Sequence, residues 1–407
     1  MKKSVKLLTE YFYPELAATG QLMAQLAMGL IGKGFEVEVY TSQPTYQGQD
    51  KSKLSGREEY KGVKINRLSA TQLDKNKPLF RIVNWLTFSF LTLINLIFKS
   101  KQKDILLILS NPPILPFVGL FLSLFRGQRY VLIIYDVYPD MAVTLGVVNE
   151  NGLPVKLWNR LNKILYYRAS RIVVLGERMK QTIIRKSDRK TDTSKIKIIH
   201  NWEDPEFIKP MRKEENPFAR EHNYHKYLIL LYSGNLGQHH DLATLVYAAE
   251  RVKNLPIKFV FIGDGAKKKK LEEIVRERNL KNIDFHPYQP LDKLPETLTC
   301  GDISIISEDK RVNGLCVSCK IYSALAAGNA ILALVNKDSD VAKIVQKGKC
   351  GLIVEQNNVD EVVDCIKNFY YNKKIVKEMG NKARLCFENN YTLNHSLEKY
   401  VEMLGDV

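Results

Sequence analysis

Short apolar runs alternate with longer amphipathic stretches through almost the whole chain, and the pattern occurs twice. Such alternation belongs to βα units that build a parallel sheet. In the first half, strands are expected at 5–8, 36–40, 105–109, 130–134 and 171–175. The intervening helices are expected at 21–33, 78–99, 113–125, 154–167 and 177–185. After a polar stretch at 200–224, which holds Pro205, Pro210 and Pro217 amid charges, the pattern restarts. Strands then fall at 227–233, 257–262, 282–285, 303–306 and 331–334, and helices at 241–253, 266–279, 320–327, 341–347 and 359–371. The proline-rich stretch suits a linker. The expected architecture is α/β, with two doubly wound Rossmann-like domains of similar size facing across a cleft. At 407 residues the chain is long enough for two to three domains. Gly and Pro near average usage exclude collagen-like and low-complexity chains.

Charge divides the two halves. Residues 1–200 carry 31 Lys and Arg against 15 Asp and Glu, a net of +16, whereas the remaining 207 residues carry 30 against 29. A basic half points to nucleic acid, an anionic membrane surface or polyanionic substrates. The segment 82–98 decides between them. It is mostly apolar, bounded by Arg81 and Lys99, and shorter than the roughly 20 residues a spanning helix needs. Its polar members Asn84, Thr92 and Asn95 share one narrow helical stripe with Arg81 and Lys99, leaving Trp85, Phe88, Phe90, Leu93 and Ile97 around the rest. Contact with an anionic bilayer surface is therefore favoured, through Trp85, Phe88 and Phe90, over a core helix or a true span. Six cysteines are too few for a disulfide scaffold, so reduced thiols in a cytoplasm are expected. The first residues hold no apolar run long enough for a signal peptide.

Several loops could carry chemistry. Small residues at 17–20 lead into a helix, and the run Ser233-Gly234-Asn235-Leu236-Gly237 does the same in the second half; either could offer backbone N–H groups to an anion. Gly263-Asp264-Gly265 ends the next strand. Asp136 follows a strand, where side chains face the ligand crevice of an open α/β sheet, while Asp140 suits a helix cap. Lys320 falls in a first helical turn, where a cation opposes the helix dipole unless an anion joins it. Cys316 and Cys319 make a C-x-x-C pair with no second pair for zinc and no thioredoxin-like context. Asp338-Ser339-Asp340 has the form of a metal-binding D-x-D, but helix capping explains it better.

Taken in order, these segments resemble retaining nucleotide-sugar glycosyltransferases of family 4, with the GT-B fold. The resemblance is nearest to the bacterial O-antigen and colanic-acid-type group. It rests on Tyr13-Pro14-Glu15 through Thr19-Gly20, Asp136-Val137-Tyr138-Pro139-Asp140, Val174-Leu175-Gly176-Glu177-Arg178-Met179 and His200-Asn201-Trp202. It continues through Tyr232–Gly237, Gly263-Asp264-Gly265, and Ser318-Cys319-Lys320-Ile321-Tyr322 to Ala326-Ala327-Gly328.

The resemblance implies an acceptor-binding domain at 1–200 with a membrane-associating region at about 78–125. It implies a donor-binding domain at 201–375 and a C-terminal helix, 376–407, crossing back to the first. Thr19, Gly20, Gly234, Asn235, Lys320 and Ser323 would hold the donor's diphosphate and sugar. Gly263, Gly265, His286 and Tyr288 would line the base and ribose. The family's phosphate-binding Arg and Lys are replaced here by Asn235 and His240, and its E-x7-E carboxylates by Leu315 and Ser323. Lys320, with Lys310 or Arg311 as further candidates, would then supply the positive charge. Asp136 would orient the acceptor, making Asp136 and Lys320 the expected catalytic residues. The leaving phosphate would take the acceptor's proton, so configuration is retained.

The implied reaction moves a hexosyl or N-acetylhexosaminyl group from a nucleoside-diphosphate sugar, UDP-sugar favoured, to a lipid-linked or saccharide acceptor. It would take place on the inner face of the cell membrane, with no cofactor, no metal and no nucleic acid. A nucleotide-sugar 2-epimerase and a non-catalytic scaffold of the same fold are the alternatives.

Overall fold

The computed structural model describes residues 2–15, 17–44, 54–74, 77–238 and 240–407. Leu16, inside the first glycine-containing loop, lies outside them. The chain divides into two units, Met1–His200 with Leu393–Val407, and Asn201–Thr392.

The first unit runs β1 (Ser4–Leu8), α1 (Ala18–Gly32), β2 (Glu36–Ser42), β3 (Arg57–Tyr60), β4 (Val63–Leu68) and α2 (Pro78–Lys99). It continues with β5 (Ile105–Leu109), α3 (Pro116–Arg126), β6 (Tyr130–Ile134), α4 (Asp140–Thr144), α5 (Leu153–Arg168), β7 (Arg171–Val174), α6 (Glu177–Lys186) and β8 (Ile196–Ile198). The sheet order is β3-β4-β2-β1-β5-β6-β7-β8, parallel except for the β3–β4 pair. Strands β5 and β6 read ILLIL and YVLII and are buried along their whole length, as strands covered on both faces must be. The β3–β4 hairpin was not expected from the sequence. Its turn residues Lys61 and Gly62 both take positive φ, 49° and 81°, which matches the twist of a tight hairpin.

Helix α2 corrects one expectation. Phe88 is 1% exposed, whereas Phe90 is 62% and Phe98 81% exposed. The buried residues are Asn84, Phe88, Ser89, Thr92 and Leu96, so the narrow polar stripe faces inward and the broad apolar surface faces out. Asn84 holds this orientation. Its Oδ1 accepts from the Leu73 N–H at 3.0 Å and the Thr71 hydroxyl at 2.9 Å, and its amide donates to the Leu73 carbonyl at 2.9 Å. Phe88 lies on the same i, i+4 ridge as Asn84 and Thr92, which carries it into the core. Trp85 is half-buried with the Arg81 guanidinium 4.9 Å over its ring. By length and composition α2 could cross a membrane. However, β4 and β5, which flank it, lie in one sheet.

The second unit runs α7 (Pro217–Glu221), β9 (Leu228–Ser233), α8 (Ala243–Arg251), β10 (Ile257–Ile262), α9 (Lys268–Glu277), β11 (Ile283–His286) and α10 (Leu294–Thr299). Then come β12 (Ile303–Ser307), α11 (Lys320–Ala326), β13 (Ala330–Leu334), α12 (Asp340–Gly348), β14 (Gly351–Val354), α13 (Val359–Tyr371) and α14 (Lys373–Asn390). Its six-stranded sheet has the order β11-β10-β9-β12-β13-β14.

The stretch 200–224, expected as a linker, folds from residue 201 as part of this unit. It buries Trp202, Ile208, Phe218 and Tyr224. The expected crossing helix at 376–407 is two helices. The first, α14, stays wholly with this unit: Arg384 Nη1 donates to the carbonyls of Ile208 and Ala326 at 2.7 Å each. Only α15 (Leu393–Gly405) joins the first unit.

Candidate active site

The second sheet reverses its winding between β9 and β12. From β9 the chain steps outward to β10 and β11, and from β12 to β13 and β14. In open α/β sheets, ligands bind where the carboxyl ends of strands diverge at such a switch point. Beyond the end of β9 lies Gly234, with φ +124°; the Lys320 Cε lies 2.8 Å from where a Cβ would stand on it. Only glycine leaves room for the lysine to cross. The Lys320 ammonium approaches His240 Nε2 at 3.4 Å and sits 5.3 Å over the Tyr232 ring. His240 Nδ1 donates to the Ser307 carbonyl, at 2.6 Å, at the end of β12. That bond leaves Nε2 as the acceptor facing Lys320.

Desolvation lowers the Lys320 pKa. Among the described residues no carboxylate lies within ion-pair distance of its ammonium. Next to it, Glu308 is buried and accepts from the Ser318 N–H at 3.0 Å. Burial pushes its pKa up to about 7. The other candidate cations differ. Arg311 is tied to Asp309 through Nε at 2.9 Å and Nη2 at 2.8 Å, an ion pair that holds the Asp309 carboxyl at about 2. Lys310 is exposed. A cation at a switch point without a carboxylate partner is arranged to take an anionic ligand.

In the first unit the winding reverses between β1 and β5. Thr19 and Gly20, in the first turn of α1, follow β1. Ser110 follows β5, and its Oγ accepts from the N–H groups of Tyr135 at 3.0 Å and Asp136 at 3.3 Å. Asp136 opens into a small pocket shared with Tyr138, Trp158, Asn162 and Tyr166. Burial pushes its carboxyl up to about 6. Asp140 instead pairs with Lys186 of α6 at 2.7 Å.

Residues 213–385 match the family model described as glycosyl transferases group 1. This stretch is a glycosyl transferases group 1 domain. The chain is 25% identical over 334 residues to WbjE of Pseudomonas aeruginosa, named as a probable glycosyltransferase, with 80% of each chain covered. It is 24% identical over 333 residues to WcaI of Escherichia coli (strain K12), named as a colanic acid biosynthesis glycosyl transferase, covering 79% of this chain and 81% of that one. Among solved structures, sucrose-phosphate synthase from Thermosynechococcus elongatus superposes with a TM-score of 0.80 at 13% identity, covering 100% of this chain and 99% of that chain. HepE of Anabaena in complex with UDP-glucose gives 0.73 at 13% identity, covering 99% and 100%. Both units are Rossmann-like, and the fold is GT-B.

Within the second unit, the structure gathers Gly234, Lys320 and His240, while other expected site residues have partners of their own. Asn235 is exposed, and its carbonyl accepts from the Tyr232 hydroxyl at 2.9 Å. Ser323 Oγ donates at 2.6 Å to Glu203, whose carboxyl burial pushes up to about 7. The His286 ring packs on Phe218 and lies 2.7 Å from the Tyr224 hydroxyl. Its carbonyl accepts from the Gly263 N–H at 2.9 Å. Tyr288 is exposed and can offer a stacking face.

Gly263 and Gly265 are required by the neighbouring glycine loop. A Cβ on Gly263 would stand 2.1 Å from the Gly234 carbonyl oxygen, and one on Gly265 2.5 Å from Asn235 Oδ1. Gly263→Ala should cost about 1–3 kcal/mol from its φ of +142° alone. Separation of the two loops should add to that. Thermal melting and nucleotide-sugar titration would show both effects, and an unperturbed donor affinity would mean the two loops are not coupled.

Glu203 and Glu308 were missed from the sequence. Glu308 had a signal, since it directly follows β12, as Asp136 closely follows β6. Both are acids whose folded pKa of about 7 lies above the ordinary 4.5. Between those pH values the folded chain keeps protons that the unfolded chain has released, so their contribution makes stability fall as pH rises through that window. Glu203→Gln should therefore raise the melting temperature at pH 8 relative to wild type and leave it nearly unchanged near pH 4. Parallel melting curves across pH for the two proteins would contradict the assignment.

Proposed function

We propose that this protein is a glycosyltransferase that moves a hexosyl or N-acetylhexosaminyl group, with retention and without a metal, from a UDP-sugar to a lipid-linked acceptor in bacterial surface polysaccharide or glycolipid assembly. It works at the inner face of the cell membrane. The observation that carries the donor half is Lys320 at the second unit's switch point, a desolvated ammonium with no carboxylate within ion-pair distance among the described residues. The relative named for colanic acid biosynthesis supports the pathway class, and the neighbour solved with UDP-glucose supports uridine. The acceptor half rests on the basic first unit and the outward apolar face of α2.

As the glycosidic bond breaks, negative charge grows on the departing diphosphate. The Lys320 ammonium, fixed by His240 and Tyr232, meets that charge without reorganising, which is where electrostatic catalysis is strongest. The acceptor hydroxyl enters on the face the diphosphate leaves, and its proton passes to the leaving phosphate oxygen. Asp136 orients the hydroxyl through its half-buried carboxylate. The replacement of the resembled family's paired carboxylates by Leu315 and Ser323 is compatible with this route, which does not use a carboxylate nucleophile.

A nucleotide-sugar screen tests the reading. A ligand at about 100 times its Kd stabilises by about 2.7 kcal/mol, a shift of several degrees. UDP-glucose or UDP-N-acetylglucosamine should give that shift and GDP-mannose should not. No shift with any of the three would overturn the donor assignment. An inverted anomeric linkage in the product would overturn retention.

A further inference from the structure

One buried acid of the second unit takes no part in the route proposed above. Glu308 follows β12 directly and is 6% exposed. Among the described residues its carboxyl has one hydrogen-bond donor, the Ser318 N–H at 3.0 Å. The main chain around it is pinned. The Glu308 N–H donates to the Leu334 carbonyl at 3.1 Å, and the Glu308 carbonyl accepts from Gln356 Nε2 at 2.9 Å. One residue earlier, the Ser307 carbonyl accepts from His240 Nδ1 at 2.6 Å, and the Ser307 hydroxyl donates to the Asp241 carbonyl at 2.9 Å.

The charges around this acid come from several elements. Lys320 of α11 lies beyond ion-pair distance, yet its ammonium and the Glu308 carboxylate each favour the other's charged form. Asp340, in the first turn of α12, opposes the charge on Glu308. The imidazole of His240 and the thiols of Cys316 and Cys319 lie near the Lys320 ammonium. Asp309 is paired with Arg311, and Asp241 accepts from the Thr244 hydroxyl at 2.9 Å. Burial outweighs the attraction of Lys320, so Glu308 titrates near neutral pH.

A diphosphate drawn to Lys320 adds negative charge beside Glu308 and neutralises the cation that favours its carboxylate. An exposed side chain would turn toward water. Glu308 is buried on a pinned main chain, so the relief left to it is to bind a proton. We infer that Glu308 takes up a proton from solvent when the donor's diphosphate reaches Lys320, and so matches the charge of the donor site to its anion. The carboxylate becomes a carboxylic acid and a buffer acid becomes its conjugate base. Glu308 acts through Lys320 and is a positioning residue. By linkage, donor affinity then falls as pH rises through 7. The inference rests on the reading of Lys320 as the diphosphate site.

Calorimetric titration of the full chain with UDP-glucose tests it. Both phosphates of that donor are diesters that do not titrate near neutral pH, so a proton taken up is the protein's. Titrations in HEPES and in Tris, whose heats of ionisation differ, count the protons per donor. If the diphosphate strengthens proton binding tenfold to a hundredfold, uptake at pH 8 should be about 0.4–0.8 proton. Donor affinity should fall about 6- to 20-fold between pH 6.5 and 8.5. Glu308→Gln keeps an oxygen for the Ser318 N–H and cannot titrate. It should lose the uptake and bind about 8- to 25-fold more tightly than wild type at pH 8.5. Equal uptake in this variant would place the proton on Lys320 or His240 and overturn the inference. Binding by the wild type without uptake would overturn it as well, whether or not the variant folds. No binding of UDP-glucose at any pH would instead sink the donor reading, and this inference with it.

Discussion

Lys320→Met should lower kcat for sugar transfer by about 10²–10³, the cost of removing one preorganised charge from a developing oxyanion, about 3–4 kcal/mol. Methionine keeps the unbranched stem that crosses Gly234 and removes only the ammonium. The fold should not suffer. The ammonium is desolvated and, among the described residues, has no carboxylate within ion-pair distance, so its loss relieves a burial penalty and the melting temperature stays level or rises. A kcat within threefold of wild type would remove Lys320 from the mechanism. A rise in KM with kcat unchanged would mean that it binds donor and transition state equally.

The second large effect separates two phenylalanines on one helix. Phe88→Ala should destabilise the first unit by about 3–5 kcal/mol, the usual cost of emptying a buried phenylalanine site. Against a total stability of about 5–15 kcal/mol, that brings the protein close to unfolding at growth temperature. Phe90→Ser, two residues along, should change stability by less than about 0.5 kcal/mol. If α2 meets a bilayer, the same change should weaken vesicle binding by about 1.5–3 kcal/mol, the burial worth of one large apolar side chain. Denaturant unfolding and co-sedimentation on both variants read the two quantities independently. A stable Phe88→Ala protein would contradict the burial of this ridge.

How far the sequence can be read depends on whether one residue's neighbours are close in the chain. The βα alternation marks most central strands because a strand buried on both faces must be apolar throughout, as ILLIL and YVLII are. Strands β3 and β4 read REEY and VKINRL, where charges interrupt the pattern and a Lys-Gly turn replaces the more familiar Asn-Gly. The stripe on α2 could be found from spacing, but not the side it faces. Periodicity gives an angle around the axis, and the inward choice is made by Thr71 and Leu73, which reach Asn84 from outside the helix. Lys320 could be picked out because a cation in a first helical turn is locally unfavourable. The commitments of Ser323 to Glu203 and of His286 to Tyr224 connect residues 120 and 62 positions apart, and no local pattern encodes them.

Helix α15 completes a unit whose other parts come from the opposite end of the chain. Leu397 lies so close to Gly29 of α1 that a Cβ there would stand 2.9 Å from it. Ser396 donates to the His200 carbonyl at 2.8 Å, and Lys3 reaches the Leu404 carbonyl at 3.0 Å. During synthesis the half that emerges first must therefore wait, with the α1 surface uncovered, until nearly two hundred further residues have left the ribosome. The half made later can close before it. A fragment ending at residue 200 would keep that surface permanently bare, so expressing the first unit alone calls for residues 393–405 to be grafted back through a short loop.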